Sequence, residues 1–218
     1  MPNQCNQVYV LPEAGSDVHF KNVRYQQWCP FVIYADFEAL TTPVNNENHG
    51  ATNIYQHQTP ISAAFKVVSR ALTKEGTYIG SKDLQMHHGA DSAHWLVERM
   101  QEEEERLMAI LFDDERLHPM TFEQETKFHN ADKCYICKKP FSDKKGEDKV
   151  LDHDHVTGLY RGPAHSRCNL MMRKLYKIPV FFHNFNGYDS HLLVWGLAFQ
   201  KEKRLSIIPP GMEKYMMI

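Results

Sequence analysis

The alternation of hydrophobic and polar residues predicts several β-strands. The strongest prediction is a strand over residues 31–40, where apolar, β-branched and aromatic residues lead into Asp36 and Glu38. Residues 43–60 contain Asn, Gly, His and two prolines and are predicted to form a long loop, and residues 1–29 a loosely structured lead-in segment. Further strands are predicted at 61–69, 77–80, 178–184 and 205–208.

Apolar residues at helical spacing predict two helices. The first covers 92–113, with Asp91 or Ser92 as its N-cap, and the four glutamates at 102–105 are expected to form a solvated face of it. The second helix is predicted over 190–200. The strands and helices together predict an α/β fold, in which both helices flank a mixed sheet. The predicted buried stripe of the first helix consists of Trp95, Leu96, Met100, Leu107, Met108 and Leu111.

Cysteine and histidine residues occur in two pairs that have the spacing of metal ligands. Cys134 and Cys137 form a Cys-x-x-Cys pair, and His165 and Cys168 form a His-x-x-Cys pair. The second pair is expected to lie on one face of a helix's first turn. Four such donors satisfy tetrahedral zinc, so the sequence predicts a structural Zn²⁺ site. The alternative is two unrelated pairs in a chain that has few cysteines.

Alternating Asp and His residues fill positions 152–155, between the two pairs. Asp152 can hold a hard cation such as Mg²⁺ through oxygen, and Asn169, directly after the last predicted zinc ligand, can complete that site. His153 can act as the general base on a water molecule. A metal bound to a phosphate oxygen would stabilise the pentacovalent state and the leaving oxygen. The cluster therefore predicts metal-dependent phosphodiester hydrolysis.

This segment resembles the recombination endonuclease VII family of His-Asn-His, ββα-metal nucleases. The resemblance rests on Cys-x-x-Cys, Asp-His-Asp-His, a following Gly, Arg-Gly and a final Cys-Asn, and it covers about 50 residues. It implies that Asp152 and Asn169 bind the catalytic metal, that His153 is the base and that His155 is a supporting residue. His165 stands where the family usually has a cysteine, a replacement that zinc tolerates.

Carboxylates also stand at the ends of two predicted strands. Asp36 and Glu38 face the same side of their strand, because side chains alternate across the pleat. Asn184 and Asp189 stand at the end of the strand predicted over 178–184. Carboxylates at strand ends can hold two Mg²⁺ ions for attack of water on a phosphodiester, so these residues form a candidate exonuclease-type metal site.

The flanking residues resemble the first two exonuclease motifs of family B DNA polymerases, in particular the protein-primed, viral and Polinton-like type. The resemblance rests on Tyr34-Ala35-Asp36-Phe37-Glu38 and on His183-Asn184 through Tyr188-Asp189. It implies an RNase H-like core at 30–118 and 176–218, interrupted by the endonuclease VII-like zinc module at 119–175. The third exonuclease motif and the polymerase palm carboxylates are absent, so the core is expected to be incomplete and the chain a fragment of a longer protein.

Charge is distributed unevenly along the chain. The net charge is −2, but residues 133–177 contain 11 Lys and Arg against 5 Asp and Glu, a formal +6. Such a basic segment in an acidic body can attract phosphates, although a solvated lysine-rich loop would give the same count. Arg161 and Arg167 are the candidate phosphate-binding residues.

Composition and sequence patterns indicate the cellular compartment and the partners to expect. No apolar run approaches the length that spans a bilayer, and the N-terminus lacks the pattern of a signal peptide, so we expect a nuclear or cytoplasmic protein without a membrane partner. The expected partner is DNA, whether duplex, branched or single-stranded, and the protein could form a dimer or belong with a missing C-terminal polymerase region.

Three functions are consistent with the sequence. The leading hypothesis is the N-terminal part of a viral or mobile-element DNA polymerase that takes part in DNA replication and carries an inserted nuclease module. The second is a non-catalytic, zinc-dependent DNA-binding remnant or domesticated protein. The third is a stand-alone endonuclease for branched DNA.

Overall fold

The computed structural model describes residues 13, 15, 22–26, 28–49, 52–113, 115–172 and 177–198, and for 45–49 and 52–55 it describes the backbone alone. The strand predicted at 205–208 and most of the lead-in segment predicted at 1–29 lie outside these residues. Within that lead-in, Val23–Tyr25 form a single turn of 3-10 helix.

The helices and strands alternate along the described chain. In chain order they are β1 (Phe31–His49), β2 (Thr52–Ser69), β3 (Lys82–His88), α1 (Ser92–Phe112), α2 (Phe122–Asn130), β4 (Lys149–His153), β5 (Tyr160–His165), α3 (Ser166–Met171), β6 (Val180–Phe182) and α4 (Asp189–Leu197).

Four strands form a mixed sheet in the order β3-β2-β1-β6. The β1–β2 and β2–β3 pairs are antiparallel, whereas β6 runs parallel to β1 with Tyr34 opposite Phe181. The prediction of an α/β fold with a mixed sheet is confirmed.

The main hydrophobic core lies between this sheet and two helices. Phe31, Ile33, Ala35 and Phe37 of β1 are buried at alternate positions, and Leu96, Leu107 and Leu111 of α1 and Leu192 and Leu193 of α4 belong to the same cluster. Each fully buried Phe, Ile or Leu contributes about 1.5–3 kcal/mol. The helices approach closely at Gly196, where an added Cβ would lie 2.6 Å from the carbonyl oxygen of Ala93. The sheet face opposite this core presents Asp36 and Glu38 to solvent.

Two secondary-structure predictions for the sheet are wrong. In the range predicted as a loop, 43–60, the described residues instead continue β1 to His49 and β2 from Thr52, with Thr42 opposite His57 and His49 opposite Thr52. Backbone pairing tolerates polar side chains, so the absence of hydrophobic alternation did not exclude strands. The strand predicted at 77–80 is an isolated bridge between Tyr78 and Leu72. The third strand is β3, whose residues are mostly exposed and therefore lack the pattern of a buried strand.

Helix α1 agrees with its predicted range and buried stripe, with one correction. Leu96, Leu107 and Leu111 are buried, and Trp95, Met100 and Met108 pack against the core. The glutamate run is not solvated throughout, because Glu103 is only 2% exposed. Asp91 occupies the N-cap position without capping the helix; its carboxylate accepts a hydrogen bond from His87 Nε2 at 2.8 Å.

A second, smaller unit surrounds the predicted zinc ligands. Strands β4 and β5 form an antiparallel hairpin, and α3 follows β5 directly, which gives a ββα order. Its core consists of Cys134, Ile136, Ala164 and Cys168, separate from the main core. Helix α2 precedes this unit and was not predicted; it begins at a capping box between Thr121 and Gln124. Among the described residues, no helix is long and apolar enough to cross a membrane.

Candidate functional site

The four predicted zinc ligands come together in the structure. One ligand atom from each of Cys134, Cys137, His165 and Cys168 lies within 4.8 Å of all the others, and all except Cys137 are buried. Among the described residues this is the one such group of three or more Cys, His, Asp or Glu side chains. Three sulfurs and one imidazole nitrogen at this separation can hold a metal ion and are typical of structural zinc.

Local backbone geometry places the first pair of ligands. The amide of Lys138 donates to the carbonyl of Cys134 at 2.9 Å, and the amide of Cys134 donates to the carbonyl of Lys139 at 2.9 Å. Lys138 has a φ of 63°, the left-handed conformation that closes this tight turn. The turn therefore directs both Cys134 and Cys137 towards the same point.

The second pair is placed where β5 meets α3. His165 is the last residue of β5 and the N-cap of α3, and Cys168 lies three residues further on in that helix. His165 Nε2 lies 3.0 Å from the carbonyl oxygen of Pro140, while its Nδ1 lies 3.3 Å from Cys137 Sγ and 3.8 Å from Cys168 Sγ. A proton on Nε2 that donates to Pro140 leaves Nδ1 as the metal-binding nitrogen.

The thiols of this cluster differ in how easily they ionise. Burial opposes ionisation of Cys134, but hydrogen bonds from the backbone amides of Cys137, His165 and Ile136 outweigh it and hold the pKa of Cys134 below its usual value. Burial, together with the neighbouring Cys137 thiol, raises the pKa of Cys168 to about 11. A divalent cation would relieve the repulsion between neighbouring thiolates, because it stabilises every thiolate that it contacts.

Asp152 lies next to the cluster, in the middle of a buried polar network. Its side chain is 0% exposed. Arg161 binds it with two hydrogen bonds, from Nε to Oδ2 at 2.8 Å and from Nη2 to Oδ1 at 2.9 Å, and the hydroxyl of Tyr135 donates to Oδ2. Burial and the hydrogen bond to Asp152 raise the pKa of Tyr135, so the hydroxyl keeps its proton.

This geometry does not fit Mg²⁺ at Asp152. Both carboxylate oxygens face Arg161 or Tyr135, and neither is accessible from solvent. A cation could reach this carboxylate only if Arg161 moved. The assignment of Asp152 and Asn169 to a catalytic metal therefore stays a prediction, and Asn169 itself is partly buried in α3, which packs against β4 and β5.

The two histidines of the Asp-His cluster lie side by side. His153 and His155 have ring centroids 4.7 Å apart, and both are partly buried. Between them, Asp154 accepts hydrogen bonds from the amides of Val156 and Thr157 at 2.9 and 3.0 Å, which shapes the turn after β4. The two imidazoles therefore lie together, and the roles of His153 as base and His155 as supporting residue stay predictions.

The two arginines predicted to bind phosphate differ in their surroundings. Arg161 has a 21% exposed side chain and is held by Asp152, with a more distant contact of 3.9 Å to Asp154. Arg167 is 55% exposed and lies 3.9 Å from Glu147. Arg167 is therefore accessible to a phosphate, whereas Arg161 would first have to leave Asp152.

The exonuclease-type carboxylates lie on β1 and at the start of α4, and among the described residues they do not form a group close enough to hold a metal ion. Asp189, at the first turn of α4, is 1% exposed, and among the described residues its carboxylate has only weak interactions with the backbone amides of Phe37 and Asp189. Burial and the nearby charge of Asp36 raise the pKa of Asp189 to about 6. Burial, Glu38 and Asp189 likewise raise the pKa of Tyr188. Asp36 and Asp189 are thus close enough for their charges to repel each other.

Asn184 belongs to the turn that joins β6 to α4. It is exposed, has a φ of 50°, and its carbonyl accepts the amide of Gly187 at 3.0 Å. An added Cβ on Gly187 would lie 2.9 Å from Asn184 Oδ1, so a larger residue there would displace the Asn184 side chain.

Sequence reasoning missed two contributors to the site. Tyr135 lies between two metal ligands in the chain, but nothing in the spacing shows that its hydroxyl reaches Asp152. The carbonyl of Pro140 orients His165, but the sequence does not reveal this role, because every residue has a backbone carbonyl.

Comparisons with known proteins identify one family. The model of the recombination endonuclease VII family matches residues 114–190 of this chain. No curated protein and no solved structure matches the chain significantly. The match covers the metal-binding cluster, the Asp-His cluster and the ββα unit, and it indicates a module of nuclease type within this chain.

Proposed function

We propose that residues 119–175, within the matched range 114–190, act as a zinc-stabilised nuclease module on DNA. The proposal is supported by one combination: the ββα unit that matches the endonuclease VII family carries the Cys₃His cluster, the buried Asp152 and the paired imidazoles of His153 and His155. Zinc would hold Cys134, Cys137, His165 and Cys168 together and thereby fix β5 and α3, without taking part in the chemistry.

The chain's own side chains supply the following chemistry. His153 accepts a proton from the attacking water, and His155 keeps the ring of His153 in place. Arg167 and the lysines of the basic segment bind the DNA backbone. Since the Asp152 oxygens are already bound, dependence of cleavage on Mg²⁺ would require Arg161 to release this carboxylate, and no step is assigned to the cation.

Cleavage of a four-way DNA junction tests this function. The zinc-loaded protein with Mg²⁺ should cut the junction, and His153→Ala should lower the rate by about 10²–10⁴-fold, the usual contribution of a general base. His129→Ala is the matched control, because His129 is an exposed imidazole on α2. Equal cleavage by the wild type and the His153 variant would exclude His153 as the base.

We further propose that the sheet and α4 are an incomplete exonuclease-type core of a family B polymerase. Three antiparallel strands, a helix and then a strand parallel to the first are the order that an RNase H-like core requires. In this proposal residues 30–118 and 176–218 form the core, 119–175 the insert and 1–29 a lead-in. The repulsion between the charge of Asp36 and buried Asp189, which helps to raise the pKa of Asp189, supports a cation-binding role for this pair.

Degradation of a 3′-labelled single strand tests the second proposal. We expect weak or no Mg²⁺-dependent degradation, because the third exonuclease motif is missing. Strong degradation that is lost in Asp36→Ala would contradict this expectation, because the core would then be active without a third exonuclease motif. Binding of the junction without cleavage of either substrate would favour the alternative, a zinc-dependent DNA-binding protein.

A further inference from the structure

Tyr135 has no role in the chemistry proposed above, yet it touches both parts of the module. It stands between the ligands Cys134 and Cys137, and its amide donates to the carbonyl of Pro163 in β5 at 2.9 Å. Its ring crosses β5 at Gly162, where an added Cβ would lie 2.8 Å from Cδ1 and 2.9 Å from Cγ of the ring. The glycine therefore leaves the gap through which Tyr135 reaches Asp152.

The Asp152 carboxylate is held from two directions. Arg161 binds both oxygens from β5, and Tyr135 donates to Oδ2 from the turn that carries the two cysteines. Charge-assisted hydrogen bonds in a buried site are strong and directional. If the turn moves, the hydroxyl leaves Oδ2 and Arg161 becomes the remaining side-chain partner in this network.

We infer that Tyr135 is a positioning residue that couples the zinc cluster to Asp152. Zinc held by Cys134 and Cys137 fixes the turn between them, the turn fixes the Tyr135 hydroxyl, and the hydroxyl together with Arg161 fixes the carboxylate. The zinc ion then sets the geometry of the neighbouring Asp-His cluster as well as the fold. The consequence for DNA cleavage rests on the proposed function, whereas the coupling itself does not.

Coupling of this kind acts in both directions. If zinc fixes the contact between Tyr135 and Asp152, that contact must strengthen zinc binding by the same factor. Partners one step beyond the metal ligands typically change metal affinity by 10–100-fold. Zinc affinity therefore reports the coupling without any need for catalysis.

Competition for zinc with a chromophoric chelator tests the coupling in the whole chain. Tyr135→Phe and Asp152→Asn should each weaken zinc binding about tenfold, and the double variant should bind zinc no more weakly than Asp152→Asn alone, because either change removes the charge-assisted hydrogen bond between the hydroxyl and the carboxylate. Tyr160→Phe is the control, since the Tyr160 hydroxyl is buried and has no hydrogen-bond partner among the described residues. Unchanged affinity in Tyr135→Phe, or an additive loss of about a hundredfold in the double variant, would overturn the inference.

Gly162→Ala provides a second variant in case Asp152→Asn fails to fold. It leaves both the hydroxyl and the carboxylate intact and displaces only the ring of Tyr135. We expect the same loss of zinc affinity of about tenfold as in Tyr135→Phe. Wild-type zinc affinity in this variant would count against the inference, because the proposed path would then be broken without effect.

Cleavage kinetics at saturating zinc separate positioning from folding. Tyr135→Phe should lower the rate constant at saturating DNA about tenfold with little change in half-saturating DNA concentration, and Arg161→Lys should retain more activity than Arg161→Gln. Tyr160→Phe should cut like the wild type. Full activity of zinc-loaded Tyr135→Phe would overturn the positioning role. A wild type that does not cut would refute the proposed function and leave the zinc-affinity result to decide the coupling.

Discussion

At the scale of single residues, Asp189 shows how a carboxylate can weaken the fold that holds it. Burial in α4 and the charge of Asp36 raise the pKa of Asp189 to about 6, above its ordinary value of 3.8. The folded protein therefore binds this proton more tightly than the unfolded chain does. As the pH rises from about 4 to about 6, stability falls, and above that range the cost of the buried charge is complete.

Asp189→Asn should therefore stabilise the protein at neutral pH. Asn cannot ionise, so we expect a gain in the free energy of unfolding of about 1–3 kcal/mol at pH 7.5 and little difference below pH 4. Denaturant unfolding at several pH values measures it. Asp83→Asn, which changes an exposed carboxylate of the same sheet, should have no comparable effect. A destabilised Asp189→Asn protein at pH 7.5 would contradict the assignment of a raised pKa.

At the scale of elements, a buried ion pair joins α1 to the edge of the sheet. Glu103 is 2% exposed and accepts hydrogen bonds from Lys82 of β3 at 2.5 Å and from Arg106 Nε at 2.8 Å. Arg106 also donates to the carbonyl of Gly80 at 2.8 Å. These contacts hold β3 and the turn before it, whose sequence offers few buried apolar residues, against the helix.

Glu103→Gln should loosen this attachment. Burial opposes the charge of Glu103, but hydrogen bonds from Lys82 and Arg106 outweigh it and hold the pKa of Glu103 below its usual value. The stabilisation is therefore complete above the unfolded pKa and is lost as the pH falls through the folded pKa. Because both cations are partly exposed, we expect a loss of about 1–3 kcal/mol at pH 7.

Thermal unfolding across pH 3 to 7 measures this loss, with Glu105→Gln as the control. Glu105 is an exposed glutamate of the same run, so its replacement should change stability little. Equal stability of the two variants at pH 7 would mean that the ion pair does not hold β3.

At the scale of the whole molecule, two hydrophobic clusters divide the described chain. The main cluster joins the sheet to α1 and α4, and the smaller one surrounds the metal-binding cysteines. Val156, from the turn after β4, packs into the main cluster and links the two parts. A cluster as small as Cys134, Ile136, Ala164 and Cys168 buries little apolar surface, so a bound metal ion would supply much of its stability.

Removal of zinc should therefore unfold one part before the other. With a strong chelator we expect amides of residues 134–168 to lose protection from hydrogen exchange, while those of β1 and β2 remain protected. Restoring zinc should restore protection. Simultaneous loss of protection in both parts would mean that the sheet depends on the metal as well.

The sequence by itself determined the elements whose signal is local. A short stretch of sequence is enough to predict the strand at 31–40, the buried stripe of the helix at 92–113 and the two metal-ligand pairs. Each of them depends on one face of a strand or helix, or on one tight turn. The sequence did not predict the polar continuation of β1 and β2 or the exposed strand β3, because backbone pairing stabilises them without a hydrophobic side-chain pattern.

Only the tertiary structure decided which partners the charged residues have. Arg161, predicted to bind phosphate, holds Asp152, and Tyr135 reaches the same carboxylate from between two cysteines. Glu103, in a glutamate run that was predicted to be solvated, is bound to Lys82, and Asp189 lies near Asp36. These pairings join residues distant in the chain, and the free energy of a buried charge depends on the neighbours that folding brings to it, which no local pattern records.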